Sequence, residues 1–326
     1  MKNEEKTTDQ AQDTRDVFAD SLSTLETSSI APKLPKKLPP ISSFLIKGAV
    51  LLVLVAIMAF CVAQVISSVR GYRESDELYG NISESWGSLD DLLDNRFAVS
   101  KADKGSHGSV TQGYGTPTVP EAPEISDDSS EISATVILLR AKFAALKETN
   151  SDVIGWITVP GTLIDYPIVQ TDNNDYYLDH SITGTYLNSG TIFADYRNSG
   201  DFTDRNTVIY GHNMSSGSMF ANLSKFKGSG FFKRTPYIYI HTENGIYVYR
   251  VFSVYETNKY NPYIRVSFSS DNDFIEWAKS RQSSSLRSVS YKFDGDEKII
   301  TLSTCTNGFG DDGRLAVHAV LHEIRK

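Results

Sequence analysis

Two cysteines occur in the 326 residues, and their surroundings differ. Cys61 lies inside a long apolar run, whereas Cys305 ends the run Ile299-Ile300-Thr301-Leu302-Ser303-Thr304 and opens a Gly- and Asp-rich loop at 306–313. A thiol at a strand end can be held rigidly while its sulfur stays reachable, which is what a nucleophile needs. The same position also suits a cysteine used as a small buried hydrophobe. Two cysteines in such places make no disulfide framework. An exposed idle thiol is a chemical hazard, so a lone thiol outside the cell is either hidden or used. His212 stands where Val208-Ile209-Tyr210-Gly211 runs into a loop. There an imidazole is placed for acid/base work, and Gly211 permits close backbone approach. Arg314 closes the loop after Cys305 and opens the run Leu315-Ala316-Val317-His318-Ala319-Val320. If the two flanking strands pair, its guanidinium returns beside the thiol, where it can stabilise an oxyanion. Taken singly, a strand-end arginine is also consistent with a solvated cation and a single histidine with a satisfied surface residue.

These residues need a frame that presents strand ends together. Beyond Gly155 the sequence breaks into short β-rich runs separated by Gly, Asn, Asp and Pro. Eight strands are expected, at 156–159, 163–169, 191–194, 207–210, 237–241, 246–255, 298–304 and 315–322. Eight short strands in one domain predict a mostly β fold, a closed or nearly closed barrel. A helix at 271–281, carrying Phe274, Ile275 and Trp277, interrupts them before Ser288. Upstream, Ile132, Val136, Leu139, Phe143 and Leu146 share one face of a helix expected at 132–148.

The N-terminal part is organised differently. Residues 1–43 read as a polar, disordered tail ending in a Pro/Lys segment. Residues 44–67 are almost all apolar, enough helix to cross a bilayer, and they start too far from the N-terminus for a signal peptide. Lys33, Lys36, Lys37 and Lys47 outweigh Arg70 and Arg73 across this run, which predicts a single-pass anchor in the cell membrane with a cytoplasmic N-terminus and an extracellular remainder. Leu78, Ile82, Trp86, Leu89, Leu93 and Phe97 predict a juxtamembrane amphipathic helix over 68–98. Residues 99–130 have linker composition, leaving 131–326 as an extracellular globular domain that carries the candidate residues. A net charge of −8 gives no global attraction for polyanions, so no nucleic-acid partner is expected. No metal-ligand spacing joins His107, His180, His241, His318 and His322, Asp311 and Asp312 alone are a weak cation signal, and no phosphate-binding or dinucleotide loop occurs, so no cofactor or metal is implied.

Together the candidate residues resemble the sortase family. Thr301-Leu302-Ser303-Thr304-Cys305 is similar to the TLSTC nucleophile motif, with an arginine nine residues on at Arg314 and a histidine upstream in Tyr210-Gly211-His212. Class B resemblance comes from Asp152-Val153-Ile154-Gly155-Trp156-Ile157, Ile164-Asp165-Tyr166-Pro167-Ile168-Val169-Gln170 and Tyr176-Tyr177-Leu178. It comes also from Gly217-Ser218-Met219-Phe220, Phe252-Ser253-Val254-Tyr255 and the helix inserted before the strand leading to the cysteine. The resemblance spans 132–324.

It implies a sortase-type eight-stranded closed barrel with N-terminal helices, acting as a cysteine transpeptidase without a cofactor. Cys305 would attack a threonine carbonyl in a C-terminal sorting motif of a secreted protein, His212 would exchange the proton with leaving and incoming amines, and Arg314 would steady the oxyanion. A peptidoglycan precursor amine would resolve the thioester. Asn174, Leu178, Tyr210 and Ser303 match the class B substrate groove. Many class B members carry an acid directly after the cysteine, where Thr306 stands here; if that acid shapes the groove, substrate preference departs from the commonest NPxTx type. A pilin-polymerising sortase, another Cys/His cell-wall acyl-transfer enzyme and a non-enzymatic wall-binding β module are the rival readings. The Asp-aromatic lid of pilus-forming members is not evident at 100–130. A papain-like enzyme would open a helix with its cysteine, whereas a β run precedes Cys305.

Overall fold

The computed structural model describes residues 43–87, 133–287, 289–306, 310 and 312–326. The chain divides into two units, Met1–Val62 and Ala63–Lys326. Helix α1 (Ser43–Trp86) starts in the first, where side chains such as Leu51, Leu52 and Phe60 are exposed, and it is long and apolar enough to cross a membrane. The expected span and the expected juxtamembrane helix are therefore continuous as far as Trp86. No proline intervenes, and single glycines such as Gly71 cost only about 1 kcal/mol each in a helix interior. Gly87 follows at φ +82°, the left-handed conformation that commonly ends helices. Leu89, Leu93, Phe97 and the 99–130 segment lie outside the described residues.

Within the second unit, Trp86 stacks on Trp156 with ring centroids 4.5 Å apart and meets Phe143 edge-on at 5.0 Å. Phe143 belongs to α2 (Ala134–Thr149), capped by the Ser133 hydroxyl, which accepts from Val136 N. Val136, Leu139 and Phe143 are its buried residues, at the three- and four-residue steps of one helical face.

The strands are β1 (Val153–Thr158), β2 (Asp165–Val169), β3 (Ile192–Ala194), β4 (Asn206–Tyr210), β5 (Tyr237–Thr242), β6 (Gly245–Asn258), β7 (Ile299–Cys305) and β8 (Gly313–Arg325). They close a barrel in the order β1-β2-β3-β4-β7-β8-β6-β5, with β2–β3 and β4–β7 parallel and the other pairs antiparallel. Short helix α3 (Ser229–Arg234) precedes β5, and α4 (Asp271–Ser283) is inserted between β6 and β7. Phe274, Trp277 and Ala278 of α4 pack on Phe252, Phe293, Ile299 and Val320, covering one side of β7. Strands β6 and β8 run further than their apolar patterns. Glu256, Thr257 and Asn258 pair with Leu315, Arg314 and Gly313, and this pairing brings Arg314 into a strand.

A polar chain crosses the packed layer beneath α4. Thr301 Oγ1 donates to Asn206 Oδ1 at 2.7 Å and lies 2.9 Å from His318 Nδ1, whose ring Nε2 is 3.1 Å from the Tyr255 hydroxyl. Burial pushes both His318 and His241 down to about 3, with Arg281 near the first and Lys142 near the second adding to the effect. An unfolded chain takes up these protons near its ordinary value of about 6.5, so below that pH the unfolded state holds more protons than the folded one. Stability is therefore complete above that value and is lost as pH falls toward 3, by up to about 1.4 kcal/mol per pH unit for each ring. The urea midpoint of the full chain, followed by tryptophan fluorescence, is expected to drop steeply between pH 6.5 and 4.5. His318→Gln is expected to make that pH dependence shallower.

Candidate active site

In β7 the six residues before Cys305 are buried, and Cys305 itself is exposed with a free thiol. The strand thus anchors the backbone on both sides and delivers the sulfur at its end. Two neighbours bring the partners. In the parallel β4–β7 ladder Tyr210 is level with Ser303, and Gly211 N donates to Ser303 O at 3.2 Å. His212 and Cys305 each stand two residues beyond this register pair, so both lie at the same end of the ladder. Asn213 Nδ2 donates to Cys305 O at 3.0 Å, which ties the two loops at that level. In the antiparallel β7–β8 ladder Cys305 is directly opposite Arg314. Opposite residues put their side chains on one face, with Cβ atoms about 5 Å apart. All three predicted residues share one end of the barrel, and the cysteine is not sealed in the core.

His212 is oriented by backbone. Its Nε2 lies 2.7 Å from Leu178 O, and because a carbonyl only accepts, Nε2 carries the hydrogen. Leu178 ends the 3-10 turn Tyr176–Leu178. Gly211 is required where it stands: a Cβ there would lie 2.4 Å from Ile192 Cδ1 and 2.8 Å from Phe220 Cγ.

The four groove candidates are differently placed. Leu178 is exposed and touches His212 through its carbonyl, and Tyr210 and Ser303 are register partners. The Tyr210 hydroxyl donates to Asp195 Oδ2 at 2.8 Å, and Arg197 grips the same carboxylate with two hydrogen bonds. Burial alone would raise the Asp195 carboxyl, but the bonds from Arg197 and Tyr210 outweigh it and hold it below the usual carboxylate range. The Asn174 side-chain carbonyl is taken by Tyr196 N at 3.0 Å.

Two features were not legible in the motif. Tyr263, in the 3-10 turn Pro262–Ile264, is buried with its hydroxyl 2.9 Å from Ser303 Oγ. Burial raises its phenol, with Arg314 opposing and Cys305 adding to the shift, so the ring lies within electrostatic reach of both. The Asn261-Pro262 pair before it is the only sequence hint of a turn there. The second feature concerns Thr306, whose Oγ1 donates to Glu256 Oε1 at 2.9 Å; that oxygen also meets Lys227 Nζ at 2.9 Å. A carboxylate does reach this corner, from β6 rather than from the residue after the cysteine. Asp312 pairs with Lys259 at 2.6 Å, Asp311 lies outside the described residues, and among the described residues no cluster of three or more His, Cys, Asp or Glu gathers for a metal.

Known proteins resemble this chain in sequence and fold. The sortase-domain family profile matches residues 157–322. Sortase B of Listeria monocytogenes is 39% identical over 184 residues, which is 56% of this chain and 75% of that protein. The crystal structure of sortase B from Bacillus anthracis in complex with AAEK1 superposes with a TM-score of 0.52 at 39% identity, covering 57% of this chain and 85% of that one. A Staphylococcus aureus sortase B–substrate complex gives 0.53 at 30% identity, with 56% and 86% covered. The chain belongs to the sortase family, in its class B.

Proposed function

We propose that the chain is a membrane-anchored transpeptidase that joins secreted proteins carrying a C-terminal sorting motif to a cell-wall amine. The observation that carries this reading is the exposed Cys305 thiol placed opposite Arg314, with His212 just beyond the Tyr210–Ser303 register pair at the same end of the barrel. In the first half-reaction the Cys305 thiolate adds to the threonine carbonyl carbon of the motif, and the oxyanion that forms is met by the Arg314 guanidinium. The C–N bond breaks as His212 gives its proton to the leaving amine, and the acyl group remains on sulfur as a thioester. In the second half-reaction an incoming amine attacks the thioester carbon, His212 takes its proton, and the new amide departs as the thiolate is restored. With Nε2 held by Leu178 O, Nδ1 is the nitrogen that exchanges the proton. A solved Staphylococcus aureus relative is a sortase B–substrate complex, which supports a substrate-binding role for this fold. Asn174, Leu178, Tyr210 and Ser303 are the residues we assign to a substrate groove. The apolar start of α1 serves as the anchor, with the N-terminus in the cytoplasm by the lysine bias of its flank.

Mass spectrometry of the protein incubated with a library of sorting-motif peptides tests this. A thioester adduct on Cys305 is the expected result, discharged by peptidoglycan-precursor amines faster than by a pilin-type lysine peptide. Adduct formation on no peptide, or on a residue other than Cys305, would remove the proposal.

A further inference from the structure

We infer that the last turns of α1, through Tyr79, position the His212 imidazole, an inference that rests on the role of His212 proposed above. Leu178 O, which accepts from His212 Nε2, is itself seated on Gly190. A side-chain carbon at Gly190 would lie 2.6 Å from Leu178 O and 2.3 Å from Tyr177 O, and Gly190 has φ +57°. Only a residue without a side chain lets the two backbones approach so closely. Gly190 is in turn held from α1: the Tyr79 hydroxyl donates to Gly190 O at 2.7 Å and lies 2.8 Å from Thr191 Oγ1. Thr191 N closes the circuit on Tyr177 O at 3.0 Å. One turn earlier on the same helix face, Ser75 Oγ is 2.7 Å from Ser189 Oγ. Three successive residues under the 3-10 turn are thus fastened to one helix.

A second route leads from Tyr79 to the other side of His212. The Tyr79 ring meets Tyr166 edge-on at 5.6 Å, and the Tyr166 hydroxyl accepts from Met219 N at 3.1 Å. Met219, at φ +54°, pairs with Asn213, and the next residue, Phe220, donates its N–H to His212 O at 2.9 Å. The loop that carries the imidazole and the carbonyl that orients it therefore both lean on one buried tyrosine, 3% exposed. Tyr79 acts on Gly190 and Thr191 beneath the 3-10 turn and not on the reacting atoms, which makes it a positioning residue.

The test uses the full chain in detergent micelles, labelled with ¹⁵N at histidine. Tyr79→Phe keeps the ring and removes the hydroxyl. It is expected to lower kcat for peptide cleavage about tenfold with KM unchanged, and to speed solvent exchange of the His212 Nε2–H. Ser253→Ala removes a buried hydrogen bond to Arg281 O, 2.6 Å long, far from this circuit, and is expected to lower Tm while leaving kcat and the His212 signal as they are. A Tyr79→Phe chain that behaves like Ser253→Ala, less stable with the same kcat and the same ring N–H exchange, would overturn the inference. If the unaltered chain cleaves no sorting peptide, the transpeptidase reading fails, while the His212 exchange measurement still decides the role of Tyr79.

Discussion

A Cys305→Ala chain is expected to form no thioester with any sorting peptide and to lose at least about 10⁴-fold in turnover, because no covalent intermediate can form without the sulfur. The loss is chemical because the fold does not depend on this sulfur. Cys305 is exposed at the end of β7, and the six residues that anchor the strand precede it. The thermal midpoint is expected to stay within a few degrees, as for a surface substitution that removes little buried area. His212 and Arg314 remain in place in such a chain, so the variant should still bind peptide and report the groove without turnover. Turnover retained within tenfold of the unaltered chain would exclude Cys305 as nucleophile.

Arg314→Lys carries the next largest expected loss, about 10²- to 10³-fold in kcat for thioester formation, the range for removing one oxyanion partner. Lysine keeps the charge, so a purely electrostatic role would be spared. A guanidinium offers five donors in a rigid plane, whereas an ammonium is a single strongly hydrated point charge. In this site Arg314 faces Cys305 across the β7–β8 ladder, and its Nη1 donates to Gly313 O at 2.8 Å, which helps fix the plane of the fork at the strand end. Alkylation of Cys305 by iodoacetamide separates the two roles. It needs no oxyanion partner, so Arg314→Lys should slow acylation far more than alkylation. Equal slowing of both would show that the guanidinium acts on the thiol and not on the developing oxyanion.

The nucleophile, acid/base and cation candidates were legible because each ends or begins an apolar β run, and a run's end is visible in a one-dimensional pattern. The register that unites them was not. It comes from β4 pairing parallel with β7 and β8 antiparallel with it, two long-range choices that no local periodicity encodes. The extension of β6 and β8 past their apolar stretches is a similar case. Glu256, Thr257 and Asn258 look like loop residues until their pairing partners are known.

The sequence by itself determined the chemistry available to this protein. A lone thiol after an apolar strand, an imidazole after Gly211, an arginine at the next strand start and an apolar helix long enough for a bilayer are properties of residue type and order. Only the tertiary structure decided what supports that chemistry: the Leu178 carbonyl that orients His212, the Glu256 carboxylate that reaches Thr306, the Tyr263 phenol beside Ser303, and the Tyr79 contact beneath the 3-10 turn. The physical reason is that every residue but proline offers the same backbone N–H and C=O. Which carbonyl meets which side chain is set by packing between segments far apart in the chain, and composition and spacing carry no record of it.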